Sequence, residues 1–98
     1  MTEVKWSAFE RRVLETFLDG DRIVRLPAKR KKRLVLLKWL TALHVPEGVR
    51  ITHEEFNRLL QQHHPDSATL RREMFEFGYV RRDRLHYWRG ETSLAPII

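Results

Sequence analysis

Cysteine is absent from the chain. That excludes disulfides, thiolate-held zinc and cysteine nucleophiles together, and it fits a reducing compartment. Long apolar runs are also absent. None approaches the roughly 18–20 residues a membrane span needs. Met1–Ser7 lacks the apolar stretch of a signal peptide. A cytoplasmic protein without membrane association is therefore expected. Only four glycines are present, and they form no glycine-rich phosphate loop. No serine stands in a recognisable arrangement with His and Asp. The expectation is a protein that is not an enzyme and holds no cofactor.

Acidic side chains are missing from residues 22–43 altogether, and this absence is the most informative. The formal net charge is +6 over 98 residues, but it is not spread evenly. Residues 1–21 carry −2, residues 22–43 carry +8, residues 44–66 carry −2, residues 67–90 carry +3, and the tail carries −1. A solubility coat would mix the signs. Two positive blocks point to an anionic partner, either nucleic acid or an acidic protein surface.

What is present suffices for a core. A chain of this size buries roughly 60–70% of its unfolded surface, and three Trp and five Phe help to fill the interior. Ser7 and Glu10 have capping-box spacing and open a helix over Ser7–Leu18. Val13, Leu14, Phe17 and Leu18 form its apolar stripe. Asp19-Gly20-Asp21 ends it, with Gly20 as a left-handed cap. Arg22-Ile23-Val24-Arg25-Leu26 reads as extended. A second helix, Ala28–Leu43, begins with Lys29-Arg30-Lys31-Lys32-Arg33. It continues into Leu34–Leu40, apolar on nearly every side, as a central core helix is.

Pro46-Glu47-Gly48 makes a turn, and Val49-Arg50-Ile51 suits a short strand. Thr52 and Glu55 repeat the capping spacing and open a third helix, His53–Gln62. His63-His64-Pro65-Asp66 breaks the chain, since the residue before proline avoids the helical region. Asp66 caps a fourth helix, Ser67–Phe77, and Gly78 ends it. Tyr79-Val80-Arg81 and Leu85-His86-Tyr87-Trp88 read as two strands about a turn at Arg82-Asp83-Arg84. The expected fold is mainly α with a small β-hairpin: a winged helix-turn-helix preceded by one N-terminal helix. Residues 1–27 would pack on the core, 28–90 would form the winged-helix domain, and 91–98 an apolar tail.

Candidate contacts follow from that order. Lys29, Arg30, Lys31, Lys32 and Arg33 crowd a helix N-terminus, which is already positive. A phosphate bound there reverses the penalty. The alternative is pairing with Glu10, Glu15, Asp19 and Asp21. Ser67, Thr69, Arg71 and Arg72 lie at the N-terminal end of the fourth helix, the part that meets base edges in helix-turn-helix proteins. Arg72 and Glu76 could instead pair along the helix. Arg81, Arg82, Arg84 and Arg89 lie on the hairpin and suit a phosphate backbone, with Asp83 or Glu91 as competing partners. Tyr87 and Trp88 read as packing residues. His63, His64 and Asp66 make at most a partial ligand set, so no metal is expected.

Several segments are similar to one bacterial family. They are Phe17-Leu18-Asp19-Gly20-Asp21-Arg22, Leu26-Pro27-Ala28-Lys29-Arg30-Lys31-Lys32-Arg33, His64-Pro65-Asp66 with Ala68-Thr69-Leu70-Arg71-Arg72-Glu73, and Tyr87-Trp88-Arg89. Together they resemble domain of unknown function 2087 over about residues 10–89. The resemblance implies a predicted transcriptional regulator with a winged-helix-like domain. Such domains often follow an ArsR-type helix-turn-helix. The expectation is that this domain, without such a neighbour in front of it, acts alone or through a partner. The turn Arg82-Asp83-Arg84 also lacks the glycines usual there.

The expected function is thus DNA binding: phosphates through Lys29–Arg33 and the wing, bases through the fourth helix. RNA is a variant of that partner class. The alternative is a docking or dimerisation module. Phe75 and the tail Leu94-Ala95-Pro96-Ile97-Ile98 would then face a second copy or another protein.

Overall fold

Helices begin where the sequence supplies caps. The computed structural model describes residues 4–98. Helix α1 spans Ala8–Phe17 and starts at a complete capping box between Ser7 and Glu10. Helix α3, His53–Gln61, starts at Thr52, whose hydroxyl accepts from the Glu55 amide. Helix α4, Ser67–Glu76, starts at Asp66, whose carboxylate accepts from the Thr69 amide. The longest helix, α2, runs Arg30–His44 and has no side-chain cap at Lys29.

Among the described residues these four helices are joined by two small antiparallel sheets. In the first, β1 (Leu18–Asp19) pairs with β2 (Arg22–Ile23). The second has the order β3-β5-β4, from β3 (Ile51–Thr52), β4 (Val80–Arg82) and β5 (His86–Arg89). Ile51 faces Tyr87, and Arg82 also faces Tyr87 from the other side. The last strand is therefore the central one.

The core gathers around α2. Val35, Leu36, Leu37 and Leu40 are buried with Phe56 and Leu60 of α3, Leu70 and Met74 of α4, and Tyr87 of β5. Val13 and Phe17 of α1 join from the other side. Burying such side chains stabilises by about 1.5–3 kcal/mol each, set against the entropy of ordering them.

Three sequence expectations are corrected. Gly20 does not cap α1; with φ +64° it turns the chain between β1 and β2. A left-handed glycine serves either purpose, and here Leu18 is already extended. The extended stretch at 22–26 is a strand only over Arg22–Ile23. Lys38, read within an apolar helix, is a fully buried cation. In the tail, Leu94 and Ile97 pack on this chain's own core, while Ile98 is exposed. The Ser7 hydroxyl also donates to the Ile97 carbonyl, tying the tail to the start of α1.

Candidate nucleic-acid interface

The basic run at the start of α2 finds little acid. Arg33 forks onto Glu73 of α4, with Nε 3.1 Å from Oε1 and Nη2 on Oε2. Its Nη1 also reaches the Pro27 carbonyl. Arg30, Lys31 and Lys32 lie on rings instead. Arg30 sits 4.7 Å over Phe77, Lys31 4.6 Å over Phe9, and Lys32 6.0 Å from the Phe17 centroid. Cation–ring contacts leave the positive charge uncompensated. Among the described residues, Glu15, Asp19 and Asp21 make no ion pair with this run, and Glu10 is spent on Lys38. The helix N-terminus adds its own partial positive charge.

Helix α4 divides into two ends with different fates. At its N-terminal end, Ser67 is buried and its hydroxyl donates to Asn57 Oδ1 at 2.8 Å. Arg71 donates to the same oxygen at 2.6 Å. Both side chains hold α4 against α3. Thr69 is half-buried beside Asp66. Hydrogen bonds from Thr69 hold the Asp66 carboxyl below its ordinary range. Arg72 is exposed and pairs with Glu76 at 3.2 Å, with Glu73 at 4.0 Å. The (i, i+4) pairing weighed from the sequence is thus present.

Toward its C-terminal end, cations from three elements contact α4 and the residue that follows it. Arg30 and Arg33 arrive from α2, Arg72 from α4 itself, and Arg82 from β4, 5.1 Å over the exposed ring of Phe75. The pattern along α4 could not show this. Arg33 and its partner Glu73 alone are 40 residues apart.

The hairpin arginines also part company. Arg81 is drawn to Glu91 at 3.5 Å. Arg84 is exposed at the tip. Arg89 turns inward, donating to the Val45 carbonyl at 2.7 Å, with Glu47 at 3.9 Å. Arg50 was missed in the sequence because it lies outside the basic blocks. It covers Trp88 at 4.3 Å and reaches Asp83 at 3.4 Å. Tyr87 is buried and Trp88 half-buried, so both pack.

Asp83 explains the missing glycines. Its Oδ1 accepts from the Leu85 amide at 2.9 Å and the His86 amide at 2.8 Å. The side chain closes the turn without any left-handed residue. Those two bonds hold its carboxyl below the usual range.

His63 is buried in the break before α4, and His64 accepts from the Asp66 amide. Among the described residues, no three His, Asp or Glu side chains are grouped to hold a metal. No described helix is long and apolar enough to cross a membrane.

No curated protein and no solved structure matches the chain. Residues 22–89 match a family described as uncharacterized proteins conserved in bacteria, domain of unknown function 2087. That span takes in α2, α3, α4 and all of the three-stranded sheet, together with the cations just described; on it, the chain belongs to this family.

Proposed function

We propose that the chain is a DNA-binding winged-helix domain of a transcriptional regulator. The element order α2, β3, α3, α4, β4, β5 with sheet order β3-β5-β4 supports the winged-helix reading. In it, α3 and α4 form the helix-turn-helix and β4–β5 the wing. Lys29, Arg30, Lys31 and Lys32 contact phosphates together with Arg82 and Arg84. Thr69 and Arg72 face the bases. Ser67 and Arg71 position α4 through Asn57.

One observation carries the reading. Of Lys29–Arg33, only Arg33 has a carboxylate partner among the described residues, and on the wing Arg82 lies over the exposed ring of Phe75. An exposed surface of uncompensated cations around one helix matches the charge of a duplex backbone.

The test is fluorescence anisotropy with random-sequence duplex DNA at low and at physiological salt. Binding should weaken steeply with salt. A variant carrying Lys29→Glu, Arg30→Glu and Lys31→Glu should lose it while keeping the native circular dichroism spectrum. Absence of duplex binding at low salt would overturn the reading. Preference for duplex RNA in competition would move the partner class instead.

A further inference from the structure

A groove of about 400 Å³ opens where the segment before α1, α1 itself and the second half of α2 meet. Trp6, Arg11, Leu14, Trp39, Ala42 and Leu43 line it. Its volume is that of a small-ligand site. Both indoles are braced from within the protein. The buried Lys38 ammonium lies 4.2 Å from the Trp6 ring centroid. The buried His63 ring meets Trp39 nearly at right angles, with centroids 5.0 Å apart. Leu14 and Trp39 also pack on the core. A surface held in this way exists before a ligand arrives, which lowers the ordering cost of binding. Leu43 is 52% exposed, an apolar side chain that this chain leaves in water.

The charge on the groove selects the ligand. Arg11 is the one charged residue that lines it, and it is exposed. Among the described residues it pairs with no carboxylate, since the neighbouring Glu10 is spent on Lys38. A guanidinium beside an apolar groove repels organic cations and gains little from neutral ligands. It grips a carboxylate through two parallel N–H bonds. Indole rings favour a flat aromatic partner, offset or edge-on. A docking helix spreads its anchors over two turns and needs a longer trough. A small molecule with an aromatic body and one carboxylate meets every one of these conditions.

We propose that this groove binds a small aromatic carboxylate, packed against Trp6 and Trp39 and held by Arg11. The site shares no residue with the proposed nucleic-acid surface, so it stands whether or not the chain binds DNA.

NMR of the nitrogen-15-labelled full chain tests it through the three indole N–H signals, with 1-naphthoate as the probe. Trp88 is the internal control, because it lies on β5 under Arg50 and lines no part of the groove. The Trp6 and Trp39 signals should shift together and saturably, with a Kd of about a millimolar or tighter. Trp88 should stay in place. Naphthalene-1-methanol, neutral and of similar shape, should bind about fivefold more weakly, and 1-naphthylmethylammonium weaker still. Arg11→Gln should weaken naphthoate about fivefold and leave the alcohol unchanged. No shift at Trp6 and Trp39, or an equal one at Trp88, would overturn the site. Equal losses for acid and alcohol in Arg11→Gln would overturn the carboxylate assignment. Shifts of Trp6 and Trp39 on diluting the protein alone would overturn it too, by giving the groove to a second copy.

Discussion

The ammonium of Lys38 meets the carboxylate of Glu10 at 2.7 Å inside the core, with neither side chain exposed. The pair is fully dressed. Lys38 also donates to the Lys5 carbonyl at 2.7 Å and lies 4.2 Å from the Trp6 ring centroid. Glu10 accepts from the Ser7 amide at 2.7 Å through its other oxygen. Taking two ions out of water is costly, so such a pair specifies a docking geometry more than it stabilises one. Here it fixes how α1 sits on α2.

Removing one partner should therefore cost more than removing both. Lys38→Met leaves a buried, unpaired carboxylate and should destabilise by about 3–5 kcal/mol. The double variant Lys38→Met with Glu10→Leu should recover most of that loss. Urea unfolding followed by tryptophan fluorescence measures both. A double variant no better than the single one would show that the pair itself supplies net stability.

The pH dependence of the same pair has a definite sign. Burial raises the Glu10 pKa, but the bonds from Lys38 and the Ser7 amide outweigh it, and the group sits below its ordinary 4.5. A depressed carboxylate stabilises fully above its unfolded value and loses that contribution as pH falls through the folded one. The native protein should weaken below about pH 4.5 for this reason. Lys38→Met removes the partner and leaves the burial, so Glu10 should then favour its proton. That variant should gain stability as pH falls from neutrality toward about 5. Unfolding midpoints at several pH values would show the opposite slopes.

These pairings also show where sequence reading stopped. The caps at Ser7, Thr52 and Asp66 were legible, because each is settled within three residues. The break at His63–Asp66 was legible from Pro65 for the same reason. The buried charge of Lys38 was not, since Lys38 reads only as part of an apolar stretch and its partner lies 28 residues away. The basic run was legible as a run, but the placing of Arg33 on Glu73 and Arg30 on Phe77 depends on how α2 crosses α4. Ser67 and Arg71 read as base contacts from position alone. Asn57, which engages both, carries no signal in the pattern of α3.

Gly90 should be the least replaceable glycine. A Cβ there would lie 2.2 Å from the Gly78 carbonyl oxygen and 3.0 Å from two backbone carbons. The crowding comes from closure of the sheet: the Gly90 amide donates to Tyr79, and the Thr92 amide to Gly78. Backbone cannot swing aside as a side chain can. Gly90→Ala should cost about 1–3 kcal/mol or more. Gly20→Ala meets no atom within 4 Å and suffers only its φ of +64°, about 1–2 kcal/mol. Thermal unfolding of the two variants would rank them, and equal losses would contradict the crowding argument.

The final prediction concerns the charge on α4 and rests on the DNA-binding reading. Arg72 is exposed but shares its guanidinium between Glu76 and Glu73. Glu76 is itself exposed, so the pair adds little stability. Glu76→Gln should leave unfolding nearly unchanged. It should also release Arg72 and remove a negative charge from the face that meets the duplex. Affinity for random-sequence DNA should then rise roughly two- to fivefold at low salt, and the salt dependence should steepen by up to about one counterion. Arg72→Gln should act in the opposite direction. Anisotropy titrations of both variants across a salt series decide the matter. If neither changes affinity or salt slope, α4 does not face the nucleic acid, and the basic start of α2 must act without it.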